Sequence, residues 1–71
     1  MTVREVLVGM GKNDKVMINQ RATRYTDKVV FPLGVVADVG SDILDLVVWY
    51  TEVKHDAFLG DIRYVCCEKT A

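Results

Sequence analysis

The sequence is poor in the residues that build metal sites, catalytic sites and disulfide frameworks. Its 71 residues include one His, one Pro and two Cys, and the two Cys are neighbours, Cys66 and Cys67. Adjacent residues of a strand point to opposite faces, so a bridge between these two thiols would require a distorted peptide. We therefore expect reduced thiols, which suit a cytosolic setting.

The sequence also lacks an excess of charge and a long apolar run. The formal net charge is -1, with acidic and basic residues interleaved, so no global field attracts nucleic acid or an anionic membrane. No basic start leads into a long apolar run, and no apolar segment approaches the length that crosses a bilayer. These absences predict a soluble, cytoplasmic protein without a membrane partner, and they disfavour nucleic-acid binding.

Apolar residues, in contrast, are plentiful. They make up 51% of the chain, which carries no low-complexity run, so intrinsic disorder is disfavoured and residues 1–71 are predicted to fold as a single domain. A domain this short usually gains stability from disulfides, a metal or self-association.

The opening "MTVREVLVGMGK" predicts a short helix. Thr2 can cap it, Glu5 stands three residues on to complete a capping box, and Met1 can pack on Val6. Gly11 is predicted to end the helix in a left-handed conformation. The G-x-G of this stretch is interpreted as part of the helix stop, because the other residues of a phosphate-binding loop are missing.

Two strands are predicted next. "KVMIN" alternates, with Val16 and Ile18 on one face and Met17 on the other, and "KVVF" suits a second strand. Residues 20–27 form either a connecting loop or a splayed hairpin end. Pro32 cannot donate to a central ladder, so the second strand either ends there or lies at a sheet edge.

The second half predicts a capped helical turn and a hairpin. Ser41 followed by "DILD" indicates one helical turn, "LVVWYTEVK" and "IRYVCCE" indicate strands, and "HDAFLGD" is the turn between them; "GVVADVG" stays ambiguous. Strict alternation would place Val47, Trp49, Thr51 and Val53 on one face of the first hairpin strand. The same alternation places Leu46, Val48, Tyr50 and Glu52 on the other face of this strand. In the return strand it places Ile62, Tyr64 and Cys66 on one face and Arg63, Val65 and Cys67 on the other.

The predicted fold class is therefore α+β, with one N-terminal helix packed on a small, mainly antiparallel sheet of about four strands. Both faces of the hairpin are substantially apolar, and one helix can cover only one face. We accordingly expect the chain to form a homo-oligomer.

The segments "TVREVL", "DKVMI" and "ILDLVVWYTEV" resemble those of short proteins from phages and conjugative elements of Firmicutes. Members of this group begin T-V-x-E-hydrophobic and carry an I/L-L-D turn before a strong strand. The resemblance covers most of the chain and implies a small α+β protein. It also implies a possible role in countering host defence, either by binding an enzyme or by sequestering a nucleotide signal. The shared motifs are structural, so no site residue follows from the resemblance.

His55 and Asp56 form the pair that most resembles a site, but a second His and patterned carboxylates are missing. A nucleophilic Cys66 or Cys67 would need a base, and His55 is the only imidazole. We therefore predict no catalytic site, no metal site and no cofactor. The protein is predicted not to be an enzyme.

One stretch, "NQRATRYTDK", brings together residue types that suit ligand binding. Guanidinium groups bind phosphate through paired hydrogen bonds, an aromatic ring stacks on a base, and hydroxyls hold ribose or phosphate oxygens. The alternative is an ordinary solvated polar loop. The predicted ligand-binding residues are Arg21, Arg24, Tyr25, Thr26 and Lys28.

Together these features predict a non-enzymatic binding protein of phage or mobile-element type, acting as a homo-oligomer. It would either block a host protein or sequester a small anionic ligand. The alternative is a structural or adaptor subunit that docks on a larger partner through its apolar sheet face.

Overall fold

The structure, a computed structural model, describes residues 1–69, and the last two residues of the predicted domain lie outside it. The described part of the chain forms four strands, two short α-helices and a 3-10 turn. The elements are α1 (Val3–Leu7), β1 (Lys15–Arg21), β2 (Asp27–Val35), the 3-10 turn (Val36–Asp38), α2 (Ser41–Leu44), β3 (Val48–Asp56) and β4 (Gly60–Cys67). The four strands form one sheet in the spatial order β2-β1-β4-β3.

The sheet is mixed. The β1–β2 and β3–β4 pairs are antiparallel hairpins, whereas the two central strands, β1 and β4, run parallel. The prediction of four strands is confirmed, and two of the three strand pairs are antiparallel as predicted. The parallel pair was not predicted; it arises because the segment between the hairpins returns the chain so that β4 lies beside β1. The same segment holds the 3-10 turn and α2, so the described chain contains two short helices where one was predicted.

One face of the sheet is covered by the helical segments and carries the core. The buried cluster joins Val3 and Leu7 of α1 to residues from both central strands, namely Val16, Ile18, Val65 and Cys67. The alternation predicted for β1 is confirmed, since Val16 and Ile18 are fully buried and Met17 is not. We call this side of the sheet the helix face and the other side the open face.

The N-terminal capping box is confirmed. The Thr2 backbone N–H donates to Glu5 Oε1 at 3.1 Å, and the Glu5 N–H donates to Thr2 Oγ1 at 3.4 Å. Thr2 also forms an antiparallel bridge with Val47, so the cap fixes the chain end beside the start of β3.

Thr2→Ala is expected to lower the free energy of unfolding by about 1 kcal/mol, because it leaves helix N–H groups without an acceptor. Urea unfolding followed by circular dichroism measures the effect. Thr2→Ser keeps the hydroxyl and serves as the matched control. An equal loss in both variants would contradict a capping role for the oxygen.

The predicted left-handed stop at Gly11 is wrong. Helix α1 ends at Leu7, and Gly60 is the glycine with a positive φ among the described residues, at 80°. Gly11 closes its turn differently, by donating its N–H to Asp14 Oδ2 at 2.8 Å. The left-handed glycine is needed instead at the β3–β4 hairpin, where the three-residue loop 57–59 ends on Gly60.

The structure decides three other local predictions. Strand β2 continues through Pro32 and is an edge strand, so the edge alternative holds. The helical turn at Ser41–Leu44 exists, but its N-cap is Gly40 without a side-chain hydrogen bond, so Ser41 is not the cap. The connecting-loop alternative for residues 20–27 holds with narrower bounds, because β1 extends to Arg21 and β2 begins at Asp27, which leaves residues 22–26 as the loop.

Candidate functional site

Aromatic and charged side chains share the open face. The register places Asn19 of β1 beside Cys66 of β4, which lies opposite Tyr50 of β3. The next row toward the β3–β4 hairpin loop joins Met17, Tyr64 and Glu52 in the same way. Directly opposite residues of neighbouring strands point to one side, so these side chains form a continuous surface.

A β-bulge brings Trp49 to this surface. Val48 pairs with Cys67 and Tyr50 pairs with Cys66, which leaves Trp49 as the extra residue between them. Strict alternation had placed Trp49 with Thr51 and Val53, and Val48 with Tyr50. Both assignments are wrong, because the bulge shifts the alternation by one residue at this point.

Arg21 lies against the Trp49 ring. Its guanidinium carbon is 4.9 Å from the ring centroid, within the range of a cation–π interaction. Trp49 is 49% exposed and Tyr50 is 41% exposed, and their ring centroids are 5.6 Å apart. The aromatic pair thus presents accessible ring surface beside a fixed positive charge.

The basic loop predicted from the sequence is the tight turn between β1 and β2. Its backbone is closed by N–H groups of Ala22 and Thr23, which donate to Thr26 C=O at 3.0 and 3.1 Å. The hydroxyls of Thr23 and Thr26 are bonded to each other at 2.7 Å, and Thr23 Oγ1 also accepts from the Thr26 N–H. Thr26 therefore shapes the loop with its hydroxyl.

The five predicted ligand residues do not all converge. The side chain of Arg21 donates to the Arg24 C=O at 3.3 Å, so these two residues are close together. Tyr25 stands at the loop tip with 86% of its surface exposed. Lys28 lies opposite Gln20, a neighbour of Arg21 in β1, so its side chain points to the helix face while Arg21 points to the open face.

A second cation–aromatic contact lies farther along the open face. Lys54 Nζ is 4.5 Å from the centroid of the Tyr64 ring, and Asn19 Nδ2 donates to the Tyr64 hydroxyl at 2.5 Å. Asn19 Oδ1 is buried and has no hydrogen-bond partner within residues 1–69.

Tyr50 and Glu52 are linked at the β3 end of this face. The Tyr50 hydroxyl donates to the Glu52 carboxylate. That hydrogen bond raises the pKa of Tyr50 and lowers the pKa of Glu52, because it stabilises the protonated phenol and the ionised carboxylate together. Both side chains are in contact with solvent, so the bond orients them and has little effect on stability.

His55 and Asp56 lie at the β3–β4 hairpin loop and have structural partners. His55 Nδ1 is 2.8 Å from Asp61 Oδ1, and both side chains are largely exposed. Asp56 Oδ1 accepts the N–H groups of Phe58 and Leu59, and hydrogen bonds from these backbone groups lower the pKa of Asp56. These contacts close the turn.

The two thiols lie at the other end of the hairpin. His55 pairs with Asp61, five residues before Cys66, which corresponds to roughly 16 Å along the strand. Cys67 is in the core, whereas Cys66 is on the open face with its sulfur 3.8 Å from Asp27 Oδ2. Burial raises the pKa of the Cys66 thiol and raises that of Cys67 to about 11, so neither is an activated nucleophile.

A shallow cleft of about 320 Å³ lies near the end of α1. Arg63 Nε is buried there without a hydrogen-bond partner in the described chain. Carboxylates and cations balance around the cleft, which gives it no preference for one charge. Its lining residues are Gly9, Met10, Asp14, Lys15, Val53, Asp61 and Arg63.

No protein-family model, curated protein or solved structure matches this chain. Within residues 1–69, no helix is long and apolar enough to cross a bilayer. The same residues hold no group of three or more His, Cys, Asp or Glu side chains placed to bind a metal ion.

Proposed function

We propose that this chain is a non-enzymatic binding protein that sequesters a small anionic ligand with an aromatic ring, such as a nucleotide. The ligand lies where the basic loop meets the open face. The observation that carries the proposal is the Arg21 guanidinium against the half-exposed Trp49 ring, with Arg24 next to Arg21.

The chemistry of these groups fits a nucleotide in two parts. An exposed indole offers a surface on which a base stacks, and such stacking is worth about 1–3 kcal/mol per base. Guanidinium groups of Arg21 and Arg24 donate paired hydrogen bonds to phosphate oxygens. Arg21 serves both parts, since its cation–π contact holds it beside the stacking surface.

The other predicted residues have lesser roles in this proposal. Tyr25, at the loop tip, closes over the ligand from the outside. The Thr26 hydroxyl holds the loop, and Lys28 contributes positive charge from the helix face.

A non-enzymatic role is supported by the separation of the reactive groups. The imidazole of His55 is at one end of the β3–β4 hairpin and the thiols are at the other, where burial raises their pKa values. The resemblance to short phage and mobile-element proteins suggests the setting, the cytoplasm of an infected bacterium. Removal of a nucleotide signal there would counter host defence.

A thermal-shift screen over mono-, di- and cyclic nucleotides, followed by calorimetry on any hit, tests the proposal. Arg24→Ala is expected to weaken binding tenfold or more, because a lost charge-assisted contact costs about 1.5–3 kcal/mol. The melting temperature of the free protein should not change, since the Arg24 side chain is exposed.

Lys12→Ala removes an exposed cation from a distant loop and is the matched control; it should bind like the wild type. Trp49→Leu should abolish stacking while leaving an apolar side chain at the bulge. If no nucleotide shifts the wild type, or if a ligand binds equally well after both Arg21 and Arg24 are removed, the sequestration proposal is wrong.

The alternative function, a structural or adaptor subunit that docks on a larger protein partner through its sheet face, is favoured by the exposed Trp49 and Tyr50 rings on the open face. Aromatic side chains of this kind dominate the energetics of many protein interfaces. In that case Trp49→Ala should abolish capture of the partner, whereas Arg24→Ala should leave it nearly unchanged. Arg24→Ala thus separates the two functions, since Trp49 takes part in both.

A further inference from the structure

The two edges of the sheet differ in their protection against another strand. The β2 edge contains Pro32, which has no N–H, and its pairing with β1 carries two register irregularities. Natural edge strands use such features to prevent pairing with another chain. The β3 edge has no proline, and its register with β4 is regular from Tyr50 to Asp56.

The start of β3 is already covered by the N-terminus. The Val48 N–H donates to Met1 C=O at 2.7 Å, and the Val3 N–H donates to Leu46 C=O at 3.0 Å. Beyond this point β3 is the last strand on its side of the described sheet. The edge from Tyr50 to Asp56 is therefore open to another strand.

The geometry identifies which backbone groups this edge offers. The Val48 N–H points away from β4, because it bonds Met1. Side-chain direction and the direction of N–H and C=O alternate together along a strand, so residues on the face of Val48 also direct these groups outward. Val48, Thr51 and Val53 share that face, since they oppose Cys67, Val65 and Arg63 of β4.

We propose that two copies of this chain associate through antiparallel pairing of their β3 strands, with Val53 on the twofold axis. The Val53 N–H of each copy donates to the Val53 C=O of the other. The four-stranded sheets of the two copies then join into one sheet of eight strands. The two Val53 side chains, each 53% exposed in the single chain, pack on each other across the axis.

Charge complementarity favours this register over an axis at either neighbouring residue. With Val53 on the axis, Glu52 lies opposite the partner's Lys54, and Lys54 lies opposite the partner's Glu52. An axis at Glu52 or Lys54 would instead place identical charges opposite each other, which is destabilising. An axis at Thr51 would bring the bulge at Trp49 into the pairing.

For this contact the charged pair exchanges its partner within one chain for a partner in the other copy. Within one chain Lys54 Nζ is 3.4 Å from Glu52 Oε1, and both side chains are substantially exposed. Because the twofold axis is perpendicular to the sheet, both open faces lie on the same side of the joined sheet. The association does not depend on the proposed ligand, since Arg21 and Arg24 lie outside the paired segment.

Sedimentation equilibrium of the purified protein without nucleotide, from 1 to 200 μM, tests the pairing. The wild type should show a reversible monomer–dimer equilibrium. Glu52→Lys and Lys54→Glu each place like charges opposite across the axis and should weaken association tenfold or more. The double variant exchanges the two charges and should restore the wild-type equilibrium. Lys12→Glu, the control for charge reversal elsewhere, should leave the equilibrium unchanged.

The Val53→Pro variant is an independent test. The Val53 N–H of the wild type points outward, so proline removes the intermolecular hydrogen bonds and keeps the hydrogen bonds to β4. This variant should be folded by circular dichroism and monomeric at all concentrations. A wild type that is monomeric at 200 μM, a folded Val53→Pro variant that still dimerises, or a folded double variant that fails to regain association would each overturn the proposal.

Discussion

Ile18→Ala is expected to lower the free energy of unfolding by about 2–5 kcal/mol, the range for removing a large aliphatic side chain from a core. Ile18 is fully buried in the cluster that joins α1 to the central strands. A chain of this length has a total stability of about 4–10 kcal/mol on the per-residue average. The substitution should therefore remove a large part of the stability and move the urea midpoint strongly downward.

Val29→Ala is the matched control, because Val29 is a β-branched residue of the neighbouring strand that is 60% exposed. It should shift the midpoint much less. Both proteins should be measured at the same chain concentration, since self-association adds to apparent stability. Equal midpoint shifts in the two variants would show that the cluster around Ile18 is not the core.

Local signals predicted the features whose physical cause lies within a few residues. The capping box of Thr2 and Glu5 closes within one helical turn, so spacing alone identifies it. The alternation of Val16, Met17 and Ile18 likewise reflects a strand with one buried face. The β3–β4 hairpin follows from two β-rich runs around a short turn.

The errors have causes that a short window of sequence does not contain. Parallel pairing of β1 with β4 joins segments more than forty residues apart, for example Ile18 with Val65, and no local pattern specifies it. The bulge at Trp49 depends on how β3 fits against β4, so strict alternation misassigned both Val48 and Trp49. Gly11 satisfies its turn through Asp14, and this contact removes the need for a left-handed conformation.

Only the part of the candidate site that is contiguous in the sequence could be predicted from the sequence. The basic loop is contiguous in the sequence, so Arg21, Arg24 and Tyr25 were evident as a group. Trp49 belongs to another hairpin and reaches Arg21 only because the sheet order and the bulge bring the two together. Lys28 was grouped with the others by proximity in sequence, although the alternation of β2 sends it to the opposite face.

Alkaline pH is expected to destabilise the protein through Cys67. Burial raises the pKa of this thiol from its ordinary value of 9.0 to about 11. In the unfolded chain the thiol ionises at the ordinary value, so between about pH 9 and 11 the unfolded state binds fewer protons than the native state. The free energy of unfolding contributed by Cys67 is therefore fully present below pH 9 and is lost as the pH rises through this window.

Urea midpoints of the wild type and of Cys67→Ala, measured from pH 7 to 11, test this expectation. Alanine cannot ionise, and the cavity that it leaves costs the same at every pH. The wild type should be the more stable protein at pH 7, and the difference should narrow above pH 9. All other residues are identical in the two proteins, so a narrowing of the difference is assigned to Cys67.

The same burial predicts slow reaction of Cys67 with iodoacetamide, because the thiolate is the reacting species and the side chain is fully buried. At pH 8 the folded protein should be alkylated at Cys67 far more slowly than the same protein in urea, with the modified residue identified by peptide mass spectrometry. Ile18→Ala, which populates the unfolded state more often, should speed the reaction, whereas Val29→Ala should not. Rapid alkylation of Cys67 in the folded wild type would show that this end of β4 is open to solvent and that the core is not closed around it.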